Sequence, residues 1–491
     1  MANSNEIIAQ YTPTIGIECH VQLKTVTKLF APVNNDSRDT LPNQNISHIC
    51  LGMPGALPIL NEKVLDLSSR AAFALGTEPQ LVSTFDRKHY FYPDLPKGYQ
   101  ITQFESPIIP GGSVDIEVDG EKKSIAIERA HLEEDAGKST HPAVGNYSLV
   151  DLNRAGTPLL EIVSAPDMHS PAEARAFAHE LYLLMRYAQV SDADLFQGNM
   201  RFDVNVSVSK QPDTLGTRSE TKNLNSFKSV EKTVAFEIQR QIKLLEAGKK
   251  VVQETRGWDD AKQKTFSQRT KEEAHDYRYF PDPDIPPVEL TQSFVDDIEA
   301  SMPMLPNDWR HVLRGFDLQP DQIEIVLEAQ LDDAPIDYAG LLQSEEPKRA
   351  IFMSNLMINV EIPLRREATF KDAGVDNDVR KKLYAALADM VGAGDLSSTN
   401  AKALLKAILT SGATPQDFRK YAQEQGYIQV SDEKALEKIV VSVLEQNPAA
   451  VADVAAGEMK VIGFLIGLVM KDTQGKANPS IVKKIILSHV K

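Results

Sequence analysis

Hydrophobic and polar positions alternate through much of the first half of the chain. From Thr14 to Leu23, Ile15, Ile17, Cys19, Val21 and Leu23 fall on one side, and Gly16, Glu18, His20 and Gln22 on the other. Side chains switch face at every residue of a strand, so this spacing predicts a half-buried strand. The stretch from Arg201 to Val208 repeats it. Phe202, Val204, Val206 and Val208 face inward, and Arg201, Asp203, Asn205 and Ser207 face the other way. Between the two, Val114, Ile116 and Val118 alternate with acids, Asp119-Gly120 supplies a two-residue turn, and Ile125 and Ile127 begin a return strand. That is the pattern of a hairpin.

Two stretches change to a helical period. Ser170-Pro171-Ala172-Glu173 combines a capping box with proline at the first helical position, and Phe177, Leu181, Leu184 and Ala188 follow as an apolar stripe. A second helix is predicted from Ser229 to Ala247 on Val230, Val234, Ile238, Ile242 and Leu245, with Gly248 placed to end it. The run Pro281-Asp282-Pro283-Asp284-Ile285-Pro286-Pro287 can continue neither a helix nor a central strand, so a domain boundary falls just after it. Beyond 295 the pattern is helical, and Gly392-Ala393-Gly394 marks a second boundary. The expected division is 1–295, 296–396 and 397–491, in keeping with about 150 residues per domain.

Composition narrows the class. A chain of 491 residues that is 42% hydrophobic and 25% charged can bury a substantial core, which excludes wholesale disorder. The longest apolar run, Val461 to Met470, is half the roughly 20 residues of a membrane-spanning helix. The start, Met1-Ala2-Asn3-Ser4-Asn5-Glu6, lacks the basic and apolar regions of a signal peptide. Two cysteines, Cys19 and Cys50, can build neither a disulfide framework nor a four-cysteine zinc site, and a reducing cytoplasm is expected. The net charge of −16 argues against non-specific nucleic-acid binding by the chain as a whole. Residues 397–491, however, hold 12 Lys+Arg against 9 Asp+Glu, a balance of +3 that leaves −19 for residues 1–396. The mildly basic end is compatible with an RNA contact and equally with a solvated helix surface.

Several places could carry chemistry. Glu18, His20 and Gln22 stand in a row on the polar face of the first strand, where a carboxylate and an imidazole can converge on a metal ion or a phosphate or simply face solvent. His131-Leu132-Glu133-Glu134-Asp135-Ala136-Gly137-Lys138 gathers three successive acids, whose mutual repulsion calls for solvent, basic groups or a cation. Gly137-Lys138-Ser139-Thr140 imitates the end of a phosphate-binding loop, but Leu132 stands where that loop needs glycine. In Pro158-Leu159-Leu160-Glu161-Ile162-Val163 a single carboxylate is embedded in an apolar run, and there it requires a metal, a basic partner or a proton. Asp86-Arg87-Lys88-His89-Tyr90-Phe91-Tyr92-Pro93-Asp94 interleaves cations with aromatics, suited to a phosphoryl group or a stacked base, or to a plain aromatic turn. Glu220-Thr221-Lys222-Asn223-Leu224-Asn225-Ser226-Phe227 either holds polar substrate or caps the helix after it. No nucleophile elbow or cysteine nucleophile of a glutaminase is present, and no dinucleotide-binding glycine signature.

These motifs occur in a fixed order, joined by Asp151-Leu152-Asn153-Arg154-Ala155-Gly156-Thr157-Pro158, Gly198-Asn199-Met200-Arg201 and His275-Asp276-Tyr277-Arg278-Tyr279-Phe280-Pro281. Near the end come Gly463-Phe464-Leu465-Ile466-Gly467 and Gly475-Lys476-Ala477-Asn478-Pro479. Over nearly its whole length the chain resembles the B subunits of aspartyl/glutamyl-tRNA(Asn/Gln) amidotransferases. The resemblance implies an α+β fold: a cradle around an antiparallel sheet, then a helical domain, then a small helical tail similar to the YqeY family that contacts tRNA. By the resemblance, the YqeY-like stretch would begin near residue 343. It implies a heterotrimer with an amidase, the A subunit, and a small C subunit, no membrane, and misacylated tRNA as substrate. The B subunit would spend ATP, with Mg2+, to phosphorylate the side-chain carboxylate of Glu-tRNA(Gln) or Asp-tRNA(Asn), and ammonia from the amidase would displace the phosphate. By the same resemblance His20, Glu134 and Glu161 would hold magnesium, with Glu18 and Asp203 as further candidate ligands. Lys88 would stabilise the phosphoryl group, with Glu18 also catalytic and Arg87 sharing in nucleotide binding. Lys471, Lys476, Lys483 and Lys484 would meet tRNA. Many relatives carry two cysteine pairs holding a structural zinc after the first strand. Here only Cys50 remains, so no structural zinc is expected and Cys50 should be a packed thiol. Two other readings are a non-catalytic tRNA-binding scaffold and a stand-alone ATP-dependent amide ligase.

Overall fold

A computed structural model describes residues 4–142, 144–211, 214–270, 277–332, 336–343, 345–367, 369–370, 375–428, 433–473 and 477–490. The chain divides into two compact units, Met1–Leu305 and Pro306–Lys491.

The first unit is organised around one sheet whose strands, in chain order, are β1 (Thr12–Gln22), β2 (Asp86–His89), β3 (Tyr99–Thr102), β4 (Gly112–Val118), β5 (Glu121–Glu134), β6 (Pro158–Ser164), β7 (Met200–Ser209), β8 (Ser219–Leu224), β9 (Glu254–Asp259), β10 (Lys264–Thr270) and β11 (Phe280–Pro281). Their order across the sheet is β10-β9-β8-β7-β1-β6-β5-β3-β2-β11, with β4 added to the free part of β5. All pairings are antiparallel except β8 with β9, which makes the sheet mixed.

The first strand lies at the centre, as its alternation requires. Ile15, Ile17, Cys19 and Val21 are fully buried on one face, in the same core as Phe202, Val204 and Val206 of β7. Helices Pro171–Tyr187 and Phe227–Glu246 add Phe177, Leu181, Val230 and Val234 to that core. The other face of the sheet, bearing Glu18, His20 and Asp203, is left for polar groups. The hairpin turn at Asp119-Gly120 has both φ angles positive (54° and 82°), as a tight two-residue turn demands. Ser170 caps its helix by accepting from the Glu173 N–H. The second helix begins earlier than its apolar stripe suggests, because Ser226 is the N-cap and accepts from the Ser229 N–H. Gly248, at φ 69°, follows its end.

A long excursion between β1 and the helix Lys63–Ala74 is fastened by a buried ammonium. Lys28 Nζ donates to the carbonyls of Asn45 and Ala155, both at 2.7 Å, and lies 3.7 Å from Cys50 Sγ. Burial pulls the Lys28 pKa down, with Cys50 opposing it.

In the second unit the described elements are helices. Glu361 ends a π-helical turn, Met357–Glu361, fully buried beneath Arg380 Nε (2.9 Å), Arg365 Nε (3.1 Å) and Tyr384 OH (2.5 Å). Gly392 closes the helix Asn377–Gly392, and Ser398–Ser411 follows it. Helices Glu433–Gln446, Ile462–Asp472 and Pro479–His489 share a small core of Leu436, Val440, Leu465, Val469, Val482 and Ile486. No helix among the described residues is long and apolar enough to cross a membrane.

Candidate functional site

Strand register gathers the polar groups. His20 of β1 is opposite Glu161 of β6, and Glu161 is opposite His131 of β5. Directly opposed side chains on one face stand about 5 Å apart, so the three form a row across the sheet. Glu133 is two residues beyond His131 and therefore shares its face. The result is a ring of two imidazoles and two carboxylates. His20 Nε2 lies 3.5 Å from Glu133 Oε1 and 3.7 Å from Glu161 Oε2. His131 Nε2 lies 3.3 Å from Glu161 Oε2 and 3.8 Å from Glu133 Oε2.

The electrostatics follow from this ring. Burial alone would lower the pKa of His131, but the carboxylates of Glu133 and Glu161 outweigh it and hold it up at about 9. Burial would likewise raise Glu161, yet His131, His20 and Lys88 together keep it well below the usual carboxylate range. Lys88 is subject to burial that would discharge it, and Glu133, Tyr279 and Glu161 offset this and raise its pKa. The Lys88 ammonium forms no ion pair with any described residue and sits 5.1 Å from the Tyr277 ring centroid. Tyr90 packs edge-on against Tyr277, and Phe104 stacks on Tyr279 at 4.0 Å. The interleaved cations and aromatics thus wall the site with rings beside one uncommitted positive charge.

A second group adjoins the first. Glu18 is opposite Asp203, and one atom from each of Glu18, Asp203 and Glu220 lies within 4.8 Å of the others. Lys222 Nζ occupies this acidic corner, 2.8 Å from Asp203 and 3.0 Å from Glu220. Burial raises the Glu18 pKa, Glu161 adds to that, and Lys222 opposes it. Asn205 donates to Glu18 Oε1 at 3.1 Å.

Of the expected ligands, His20 and Glu161 meet, whereas Glu134 does not join them. It points to the opposite face of β5, bound by Lys97 and by the Ile101 N–H at 2.9 Å, and Glu133 takes its place. Glu18 and Asp203 belong to the adjoining group. Asp135, last of the three acids, is held by Arg154 (2.6 Å) and Arg201 (3.2 Å). Arg87 is on the other side of β2 from Lys88, paired with Asp282 (2.7 Å) and Asp284 (2.8 Å) and stacked over Tyr99. Lys471, Lys483 and Lys484 are exposed on the last two helices, and Lys476 lies outside the described residues. The sequence puts Glu133, His131, Glu220 and Lys222 inside candidate stretches without giving any of them a role of its own. The signal was the period of two, which pairs Glu133 with His131 and Lys222 with Glu220 on the site face.

One ligand atom from each of His20, Glu133 and Glu161 comes within 4.8 Å of the other two. One nitrogen and two carboxylate oxygens at that spacing suit a divalent cation that keeps several waters or substrate oxygens. Nothing but the two imidazoles ion-pairs with either carboxylate among the described residues. Residues 13–296, which contain every member of both groups, match the GatB/GatE catalytic domain model, and residues 364–490 match the GatB domain model. The B subunit of the aspartyl/glutamyl-tRNA(Asn/Gln) amidotransferase from Persephonella marina is 43% identical over 97% of this chain and 99% of its own length. The chain belongs to that B-subunit family. Its members from Bdellovibrio bacteriovorus and Carboxydothermus hydrogenoformans are 42% and 41% identical, each across at least 97% of both chains. The α+β architecture with a helical C-terminal part is therefore that of the B-subunit family.

Proposed function

We propose that the chain is the B subunit of a glutamine-dependent tRNA amidotransferase, a ligase that converts the side-chain carboxylate of Glu-tRNA(Gln) or Asp-tRNA(Asn) to the amide. The observation that supports this most is the meeting of His20, Glu133 and Glu161 on one sheet face with Lys88 in electrostatic reach. A carboxylate resists amidation because oxide is a poor leaving group. A carboxylate oxygen that bonds to the γ-phosphorus of ATP, with release of ADP, acquires phosphate as the leaving group. Ammonia then bonds to the acyl carbon, phosphate departs, and one proton is lost from nitrogen. A magnesium ion held by His20, Glu133 and Glu161 would offset phosphate charge. Lys88 adds a positive charge that forms no ion pair with a described residue and would meet the transferring phosphoryl group. The Tyr277 ring lies beside it, and Tyr90 packs on that ring. The ammonia comes from an amidase partner, which accords with the absence of a glutaminase nucleophile in this sequence. The exposed lysines of the last two helices are assigned to tRNA, and the cytoplasm is the compartment where such a reaction belongs.

The test is amidation in the complex assembled with the A and C subunits, on each misacylated tRNA separately. Glu161→Gln should abolish ATP-dependent amidation while glutamine hydrolysis by the partner persists. Near-normal amidation by this variant would refute the assignment and favour a scaffold, and amidation of a free amino acid without tRNA would favour a stand-alone ligase.

A further inference from the structure

His131 carries no role in the reading above. It is buried, its Nε2 faces both Glu161 (3.3 Å) and Glu133 (3.8 Å), and its Nδ1 has no hydrogen-bond partner. The two carboxylates have a matching peculiarity. Among the described residues, the only side chains at ion-pair distance from either one are His20 and His131; Lys88 acts on them from further off. His20 is one-fifth exposed and is itself placed as a ligand. Once its Nε2 turns to a cation it can no longer hold the carboxylates. That leaves His131 as the one described side chain at ion-pair distance from both.

We propose that His131 is a positioning residue: from behind the site it fixes the carboxylates of Glu133 and Glu161 in the orientation that, with His20, receives a divalent cation. The inference rests on the cation reading of the cluster. The strand geometry explains why one side chain can serve both acids. His131 is directly opposite Glu161 in the β5–β6 register and two residues from Glu133 on its own strand. Outer partners of ligating carboxylates typically change metal affinity 10–100-fold when removed. The alternative role, a plain ionic counterweight, predicts the opposite sign. Deleting a nearby positive charge with no loss of orientation would tighten cation binding.

The experiment uses the full chain with Mn2+ alone as the probe, titrated calorimetrically and by electron paramagnetic resonance. The variants are Glu161→Gln, His131→Met, which keeps volume without a donor, and His131→Gln, which keeps a donor. The parent should bind Mn2+ and Glu161→Gln should not. His131→Met should bind about 10–100-fold more weakly, and His131→Gln should recover most of that loss. Binding by His131→Met as tight as the parent, or tighter, overturns the positioning role. So does a loss as complete as that of Glu161→Gln, which would make His131 a ligand. Should His131→Met fail to fold, electron–nuclear double resonance on the parent decides: one histidine nitrogen on the bound Mn2+ supports the proposal, and two overturn it. Equal binding by the parent and Glu161→Gln would mean that the cation reading itself fails.

Discussion

Glu161→Gln, measured in chelator-treated protein, should destabilise the first unit near neutral pH and lose that effect as the solution becomes alkaline. Holding His131 at about 9 instead of its ordinary 6.5 corresponds to about 3 kcal/mol. The two carboxylates share this, and Glu161 is the nearer, 3.3 Å against 3.8 Å. Replacing a buried carboxylate by an amide also removes a desolvation cost, so the net loss should be about 1–2 kcal/mol. The folded-state pKa of His131 is raised, so its contribution is complete below about 6.5 and disappears as pH rises through about 9. The variant should therefore fall furthest below the parent at pH 6 and lie closer to it at pH 10, where only the Lys88 support of Glu161 remains. Urea unfolding followed by fluorescence provides the assay. The chain has two tryptophans, Trp258 in β9 and Trp309 in the second unit, so a Trp309→Phe background confines the signal to the sheet. A difference that stays constant from pH 6 to 10, or grows with pH, would refute the ionic coupling of the ring.

Lys88→Ala should lower kcat/KM for amidation about 10^2–10^3-fold, the usual loss for one electrostatic stabiliser, with little change in tRNA affinity; equal losses in both would make it an RNA contact instead. Changing Lys471, Lys483 and Lys484 together to Gln should weaken tRNA binding and flatten its dependence on salt, since each lost phosphate contact removes close to one from the log–log slope. An unchanged slope would leave these lysines as solvated surface. Lys28→Met should cost about 2–4 kcal/mol in a denaturant titration, because the carbonyls of Asn45 and Ala155 lose a charged donor. A loss below about 0.5 kcal/mol would show that water replaces the ammonium.

Local period carried far in this sequence. The central strand, the hairpin at Asp119-Gly120, the capped helix after Ser170 and the stop at Gly248 all follow from spacing and turn chemistry, and each forms as those signals require. Glu161 was legible for the same reason, since a lone carboxylate in an apolar strand demands a partner. What local pattern does not encode is register across strands distant in sequence. His20, Glu161 and His131 meet only because β1, β6 and β5 align at one level. The choice between Glu133 and Glu134 depended on the face of a strand that the run of acids obscured. Arg87 illustrates a different gap. Its neighbour Lys88 looks inward while Arg87 is committed to Asp282 and Asp284, nearly two hundred residues away.

The ammonium of Lys28 has a consequence for how this protein meets its surroundings. A positive centre carried on a side chain is synthesised with the chain, in unit stoichiometry, and is lost by deprotonation rather than by diffusion, a loss that burial of Lys28 favours and Cys50 opposes. No chelator can strip it and no competing ion can displace it. The hydrogen bonds that join the excursion at Asn45 to the turn at Ala155 through this ammonium therefore need no bound ion to form.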